Sequence, residues 1–152
     1  MLCTSDWDPA FLHIWPKEKK AAILDDGNTK WSASTLSRIG EATARILSNP
    51  DATANRMIYV QSFCISQNDM IKAYEKASGS EYEVTQHESK HFEKEEKAKA
   101  DEGDLDAIEE LVWLLGTLEA NWEGKDDFAM RTLGLENEDL DEVVARIVQK
   151  HG

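Results

Sequence analysis

Three segments of the chain carry apolar residues at the three- and four-residue spacing of an amphipathic helix. The first begins at Ser34 and stops at the Asn-Pro pair at 49–50, and the second runs from a capping-box-like start at 66–69 to Gly79. The third follows Asn137, which we expect to be its N-cap. Each of these segments predicts a helix whose apolar face packs on a core.

The segment 105–118 has the widest apolar stripe of the chain, and a highly charged segment at about 90–100 precedes it. We expect the charged segment to be a solvated helix capped by Ser89. Because a wide apolar stripe is normally buried, we expect that of 105–118 to be a principal packing surface, with Trp113 off its centre. The stripe consists of Leu105, Ile108, Leu111, Val112, Leu115 and Leu118.

Short segments rich in β-formers alternate with these helices. The segment 19–24 ends at strong turn chemistry over 25–28, and 57–60 is an apolar run too short for a helix. Tyr82 and Val84 alternate with charged residues, as in a half-exposed strand. The whole pattern predicts an α+β fold, a small mixed sheet of short strands packed with about five helices.

Length and charge limit the classes of protein to which the chain can belong. With 152 residues, 41% of them hydrophobic, it is long enough for one core, and we treat 1–152 as a single domain. A formal net charge of -13 would repel phosphate backbones, which proteins bind with clustered Lys and Arg. We therefore do not expect nucleic acid as a partner.

The ends and the cysteines bear on the compartment. The first eight residues lack the basic and apolar regions of a secretory signal, and no later segment has the apolar length of a membrane span. Cys3 and Cys64 have no C-x-x-C spacing, which favours a reducing compartment. We expect a cytoplasmic protein without a membrane partner.

A short motif at 87–91 matches the H-E-x-x-H pattern of zinc peptidases. That chemistry needs both imidazoles on one helical face and a third ligand, for which Glu109 or Glu110 is available. The pattern straddles the predicted boundary between strand and helix, so the two rings would diverge, and Lys90 adds a positive charge. We interpret the segment as a solvated charged stretch and keep a zinc hydrolase as an alternative. The residues of the motif are His87, Glu88 and His91.

The chain has no glycine cluster of the kind that binds a pyrophosphate. Backbone amides reach a phosphate through closely spaced glycines, but here the glycines are scattered from Gly27 onward, without G-x-G-x-x-G or G-x-x-x-x-G-K. No tyrosine is followed four residues later by lysine, the pair that some reductases use for proton transfer. We assign no cofactor-binding and no metal-binding residue to this chain.

Aromatic residues are the remaining candidates for binding a small molecule. Ligand sites are mostly apolar with a few polar groups, although large rings also fill cores. His13, between Phe11 and Trp15, is the isolated titratable group for which we consider a catalytic role. The candidate substrate-binding residues are Phe63, Trp113, Trp122 and Phe128.

The order of several segments resembles the C-terminal half of the NmrA-like, isoflavone-reductase-like oxidoreductases. The run ILDDGNTKWSASTL at 23–36 carries the most specific part of the resemblance, which covers about 11–148 and is looser between Tyr82 and Asp127. The closing segments are similar to the last helix of that family. The other matching segments are 39–42, 55–56, 58–60, 62–63, 66–68, 133–135 and 139–144.

The resemblance implies a two-domain architecture of which this chain is one part. In that family a Rossmann half binds NADPH through a Gly-rich loop, and the smaller half closes over the substrate, in many fungal members an aromatic secondary metabolite. The phosphate loop and the catalytic lysine of the family have no counterpart here, because the chain begins where the cofactor half would be finishing. The family therefore implies NADPH chemistry only with a second half.

Three hypotheses follow. The first is a substrate domain of an NAD(P)H-dependent oxidoreductase that works with a Rossmann-domain partner chain or as a homo-oligomer, on a small aromatic metabolite. Any face that packs on the Rossmann sheet in the family should then be exposed and apolar. The second is a binding protein, or a cofactor-independent isomerase or dehydratase, that uses the aromatic pocket. The third is the zinc hydrolase.

Overall fold

The computed structural model describes residues 3–4 and 11–151, with backbone alone at 3–4 and 151. Within this part of the chain, six strands and six helices make up the α+β fold that the sequence predicts, with four strands first and three helices last. The strands are β1 (Cys3–Thr4), β2 (Ile14–Trp15), β3 (Lys20–Leu24), β4 (Trp31–Thr35), β5 (Phe63–Ile65) and β6 (Glu83–His87). The helices are α1 (Leu36–Leu47), α2 (Pro50–Thr53), α3 (Gln67–Ser78), α4 (Ser89–Asp101), α5 (Leu105–Glu119) and α6 (Leu140–His151).

The strands form two small mixed sheets. In the first, β4 lies in the centre, parallel to β1 and antiparallel to β5. In the second, β3 is central, antiparallel to β2 and parallel to β6. The predicted fold class is confirmed, with the strands divided between two sheets. None of the described helices is both long enough and apolar enough to cross a bilayer.

The turn after β3 docks on the start of α3. Gly27 has φ 68°, a left-handed conformation that suits glycine, and its carbonyl accepts a hydrogen bond of 3.1 Å from the Asn68 amide. The Asn68 side chain donates to the Asp26 carbonyl at 2.8 Å. Ser66 caps α3 in a capping box with Asp69, as the sequence predicts. The predicted turn and the predicted helix therefore hold each other in place.

Most of the core lies around β3, β4, β5, α3 and α6. Trp31 and Phe63 bring the first sheet into this core, and Tyr74 of α3 is fully buried there. A second cluster packs Ala42 of α1 against the segment that precedes α6, including Met130 and other apolar residues. A third, with Trp113 of α5, covers the end of β3.

The predicted strand at 57–60 is wrong. In the structure this segment is irregular, and Tyr59 makes an isolated bridge to Phe128 in place of a ladder. Met57 is exposed, so the run is not a buried strand. The strand that pairs with β4 is β5. The Ser62 amide donates to the Ala33 carbonyl of β4 at 2.7 Å, and the residues of β5 continue the antiparallel ladder.

The predicted packing face of α5 is wrong for four of its six residues, whereas Leu111 is half-buried and Leu118 packs on the third cluster. Leu105, Ile108, Val112 and Leu115 point outward, whereas Trp113, which the stripe places off centre, is 1% exposed. The helix is apolar on nearly all sides, so the stripe alone does not decide which side turns inward. Burial of a tryptophan removes more apolar surface from water than burial of an aliphatic side chain, and the indole also finds an aromatic stack here.

Two predicted N-caps are shifted along the chain. The cap of α4 is Glu88, whose carboxylate accepts from the His91 amide, and the neighbouring Ser89 lies within the helix. At α6 the Asp139 carboxylate accepts from the Glu142 amide at 3.1 Å, so Asn137 is not the cap. In both cases an acidic side chain within two residues of the predicted cap fits the first-turn amides, which also attract negative charge.

A buried polar network ties α1 to the segment before α6. Arg38, 6% exposed, donates to the carbonyl of Glu136 and lies with Nε 3.9 Å from the Glu138 carboxylate. The same carboxylate oxygen accepts from the hydroxyl of Thr35 at 2.7 Å and from that of Ser62. The guanidinium thus compensates a carboxylate that β4 and the segment before β5 also bind.

Replacement of Arg38 should destabilise the domain strongly. Arg38→Met removes the cation and leaves the largely buried Glu138 carboxylate without compensation, so we expect a loss of about 3 kcal/mol in the free energy of unfolding. Urea unfolding measures it. The matched control is Lys97→Met, which removes an exposed pair with Asp101 and should cost less than about 1 kcal/mol. Equal costs for the two variants would contradict the role of the network.

Candidate functional site

A cavity of about 200 Å³ lies between β4 and the irregular segment 57–60. For scale, a dry cavity of roughly 150 Å³ accommodates benzene, so this one is large enough for a single aromatic ring. Most of its wall is apolar, as in sites that bind small molecules. The lining residues are Ser32, Ser34, Ile39, Met57, Ile58, Tyr59, Val60 and Trp122.

Two stacked rings form one wall of the cavity. The rings of Tyr59 and Trp122 lie 5.1 Å apart between centroids, with 28° between their planes. The Trp122 amide donates to the Ser32 hydroxyl at 2.9 Å, which fixes the segment after α5 to β4. The backbone of Tyr59 bonds to Asp127 and Ala129 at 3.0 and 2.9 Å. Backbone hydrogen bonds therefore fix the two residues that carry these rings.

Of the two serine hydroxyls that line the cavity, one is nearly unengaged. The Ser32 hydroxyl donates to the buried Gln61 side chain at 2.8 Å and accepts from Trp122, so it is satisfied. The Ser34 hydroxyl makes, within the described part of the chain, a single long contact of 3.5 Å to the Val60 carbonyl. Ser34 therefore has hydrogen-bonding capacity left for a ligand, as do the phenolic hydroxyl of Tyr59 and the indole N–H of Trp122, for which the described part of the chain gives no partner.

The structure brings part of the predicted substrate-binding set to this cavity. Trp122 lines it, and Phe128 lies in the neighbouring cluster with its backbone bridged to Tyr59. Phe63 and Trp113 are buried in two different cores. Sequence reasoning missed Tyr59, because an apolar run of β-formers suits a cavity wall as well as a strand and no neighbouring residue distinguishes the two.

His13 lies in the third cluster and does not line the cavity. Its ring stacks on the Trp113 indole at 3.7 Å between centroids, and its Nε2 is 2.9 Å from Oε2 of Glu110. That oxygen is buried and accepts no hydrogen bond of normal geometry. His13 also has φ 55°, which is uncommon outside glycine. A catalytic role for His13 stays a prediction.

The structure places the H-E-x-x-H residues on two elements. His87 ends β6 with its ring edge-on to Phe92, Glu88 caps α4, and His91 is exposed in the first turn with Glu95 at 3.4 Å. No group of three or more His, Cys, Asp or Glu side chains in the described part of the chain is arranged to hold a metal ion.

Comparison with known proteins finds relatives that this chain matches over less than half of their own length. The oxidoreductase poxI of Penicillium oxalicum is 31% identical over 137 residues, which are 85% of this chain and 43% of poxI. An isoflavone reductase crystal structure superposes with a TM-score of 0.66 at 23% identity, over 84% of this chain and 43% of that chain. The AtPrR2 structure with NADP+ and (+)pinoresinol gives 0.64 at 22%, over 84% and 42%. No family model matches.

The resemblance to the isoflavone-reductase-like oxidoreductases is confirmed. This chain spans less than half the length of the relatives that it matches, which is consistent with a C-terminal half. Its α+β architecture is that of the corresponding region in the reductase structures.

The described residues of this chain do not fit the pyrophosphate of a dinucleotide. Each glycine with positive φ in the described part of the chain lies in a separate turn or helix end. The first-turn amides of five helices, which would otherwise attract a phosphate, already bind side chains, three of them acidic. These side chains are Thr35, Ser66, Glu88, Asp104 and Asp139.

Burial disfavours the charged form of the His13 imidazole. Burial, and after it the charge of His87, lowers the pKa of His13 from 6.5 to about 4. Burial likewise raises the pKa of the Glu110 carboxyl. Between pH 6.5 and 4 the unfolded chain therefore binds a proton at His13 that the folded chain does not, and the free energy of unfolding falls as pH falls through this window.

His13→Asn should remove this pH dependence. Asparagine tolerates the positive φ, so the variant should fold. The free energy of unfolding of the wild type minus that of the variant should fall by about 2 to 3 kcal/mol between pH 7 and pH 4.5, as measured by urea unfolding. His91→Asn, at an exposed imidazole, is the control. A difference that grows toward acid would mean that Glu110 stabilises a charged imidazole.

Proposed function

We propose that this chain is the substrate-binding portion of an isoflavone-reductase-like, NADPH-dependent oxidoreductase of fungal secondary metabolism. The observation that carries the proposal is the cavity walled by Tyr59 and Trp122. The relative poxI is a fungal oxidoreductase, and one structure with this fold holds NADP+ and (+)pinoresinol, an aromatic compound. We infer a small aromatic metabolite as the substrate.

The residues of this chain would bind and orient the substrate. One ring of the metabolite packs against Tyr59 and Trp122, since offset aromatic contacts add to the burial of apolar surface. The Ser34 hydroxyl donates a hydrogen bond to an oxygen on that ring, and Met57 and Ile58 exclude water. NADPH, held by a cofactor-binding half, supplies the hydride.

We further propose that 1–152 acts as a single substrate-domain unit that is redox-competent only with such a half. A cytoplasmic location fits the free thiol of Cys64, which stays reduced there. The described residues hold no pyrophosphate cradle, and this supports a division of labour between two halves.

A second candidate function is binding, isomerisation or dehydration without a cofactor. The cavity favours it, because the residues of this chain that line it already form a space large enough for one aromatic ring. Turnover of an aromatic substrate by the purified chain with no nicotinamide present would select this function over the first.

Monocyclic phenols should bind to the purified chain. Saturation-transfer NMR with a set of such phenols should detect binding, and Trp122→Ala should weaken it by about tenfold, because one stacked wall is lost. Leu47→Ala, at an exposed residue of α1, is the control and should bind like the wild type. If no phenol binds, the cavity is not the substrate site.

NADPH should be oxidised only when a second half is present. The purified chain should neither bind nor oxidise NADPH, because no described residues cradle a pyrophosphate. The rest of poxI, produced as a separate polypeptide and mixed with this chain and an aromatic ketone or enone, should restore NADPH oxidation, followed at 340 nm. Tight binding of NADPH to this chain alone would overturn the proposed division.

A further inference from the structure

Helix α5 has an apolar face that the described part of the chain leaves exposed. One side of the helix, with Trp113 and Leu114, is buried in the third cluster. A helix that is apolar on all sides is normally buried on all sides. The opposite side carries four aliphatic residues that are 44% to 74% exposed, and we call them the outer seam. They are Leu105, Ile108, Val112 and Leu115.

The spacing of the outer seam is that of a helix-to-helix contact. Steps of three, four and three residues separate its members, which is the pattern of the a and d positions of a coiled coil. Glu119 takes the next position of the pattern and ends it. A seam of this kind accepts another α-helix at a small crossing angle.

The two charged residues in the positions that flank the outer seam are both negative. Asp104 and Glu109 occupy the flanking positions that choose a partner in such contacts, and both are exposed. The segment 105–119 contains no Lys or Arg. If two copies of this chain met through their seams, Glu109 would face Glu109 or Asp104 in either orientation. The net charge of -13 adds to this repulsion, so a second copy is disfavoured.

We propose that the outer seam binds an amphipathic helix of another protein, whose aliphatic seam is flanked by Lys or Arg. The aliphatic residues supply the buried apolar surface, and Asp104 and Glu109 select for basic flanks. This inference does not depend on the proposed reductase function.

Three synthetic helical peptides test the inference by fluorescence anisotropy. The first carries Leu and Ile at the same spacing with Lys in the flanking positions. The second has Glu in place of Lys, and the third has the composition of the first in an order without a seam. The first should bind, more weakly as salt is raised, and the other two should bind at least about tenfold more weakly. Equal binding of the first and third peptides would overturn the proposal, because net charge alone would then explain it.

Variants of the chain locate the contact. Val112→Asp alters an exposed residue, so the fold should survive, which circular dichroism checks, and binding of the first peptide should fall at least about tenfold. Leu47→Asp, at an exposed leucine of α1, should bind like the wild type. Glu109→Lys should shift the preference toward the Glu-flanked peptide. Unchanged binding by Val112→Asp would overturn the proposal, as would a dimer in sedimentation that this variant dissociates.

Discussion

The structure depends on one buried charge being compensated. The Glu138 carboxylate accepts hydroxyl hydrogen bonds from Thr35 and Ser62 and lies beside the Arg38 guanidinium. Thr35 and Glu138 are 103 positions apart, so this contact can form only when the chain has folded back on itself. Such a network is costly unless complete, which makes the position of the segment before α6 specific. That segment in turn packs on α1 and on the loop next to the cavity.

Helices α1 and α3 were predictable because the apolar periodicity of each segment is enough to define an amphipathic helix. The segments that became α1 and α3 combine a single apolar stripe with a cap or stop residue, and nothing in the tertiary structure opposes them. The conformation of 57–60 and the buried face of α5 were not predictable. In each case the neighbouring residues in the sequence suit two arrangements of the segment. For α5, the buried face is the one on which the Trp113 indole stacks with His13, a residue 100 positions away in the sequence.

The candidate site was predictable in part for the same reason. Trp122 follows a helix in a polar segment, so a wall position was a reasonable expectation, whereas Tyr59 was hidden inside a β-like run. The chain matches less than half of its relatives' length. What the domain contributes by itself is a rigid pocket and an unpartnered helix surface.

The hydroxyl of Ser32 joins two walls of the pocket, since it donates to Gln61 and accepts from the Trp122 backbone. Its proton and one of its two lone pairs are already engaged, so it has no donor left for a guest molecule. A substitution at Ser32 could nevertheless reshape the pocket, because loss of its hydroxyl oxygen would remove the hydrogen bond that the Trp122 amide donates to it. The shape of the pocket can thus be altered from a position whose own hydroxyl is turned to the protein.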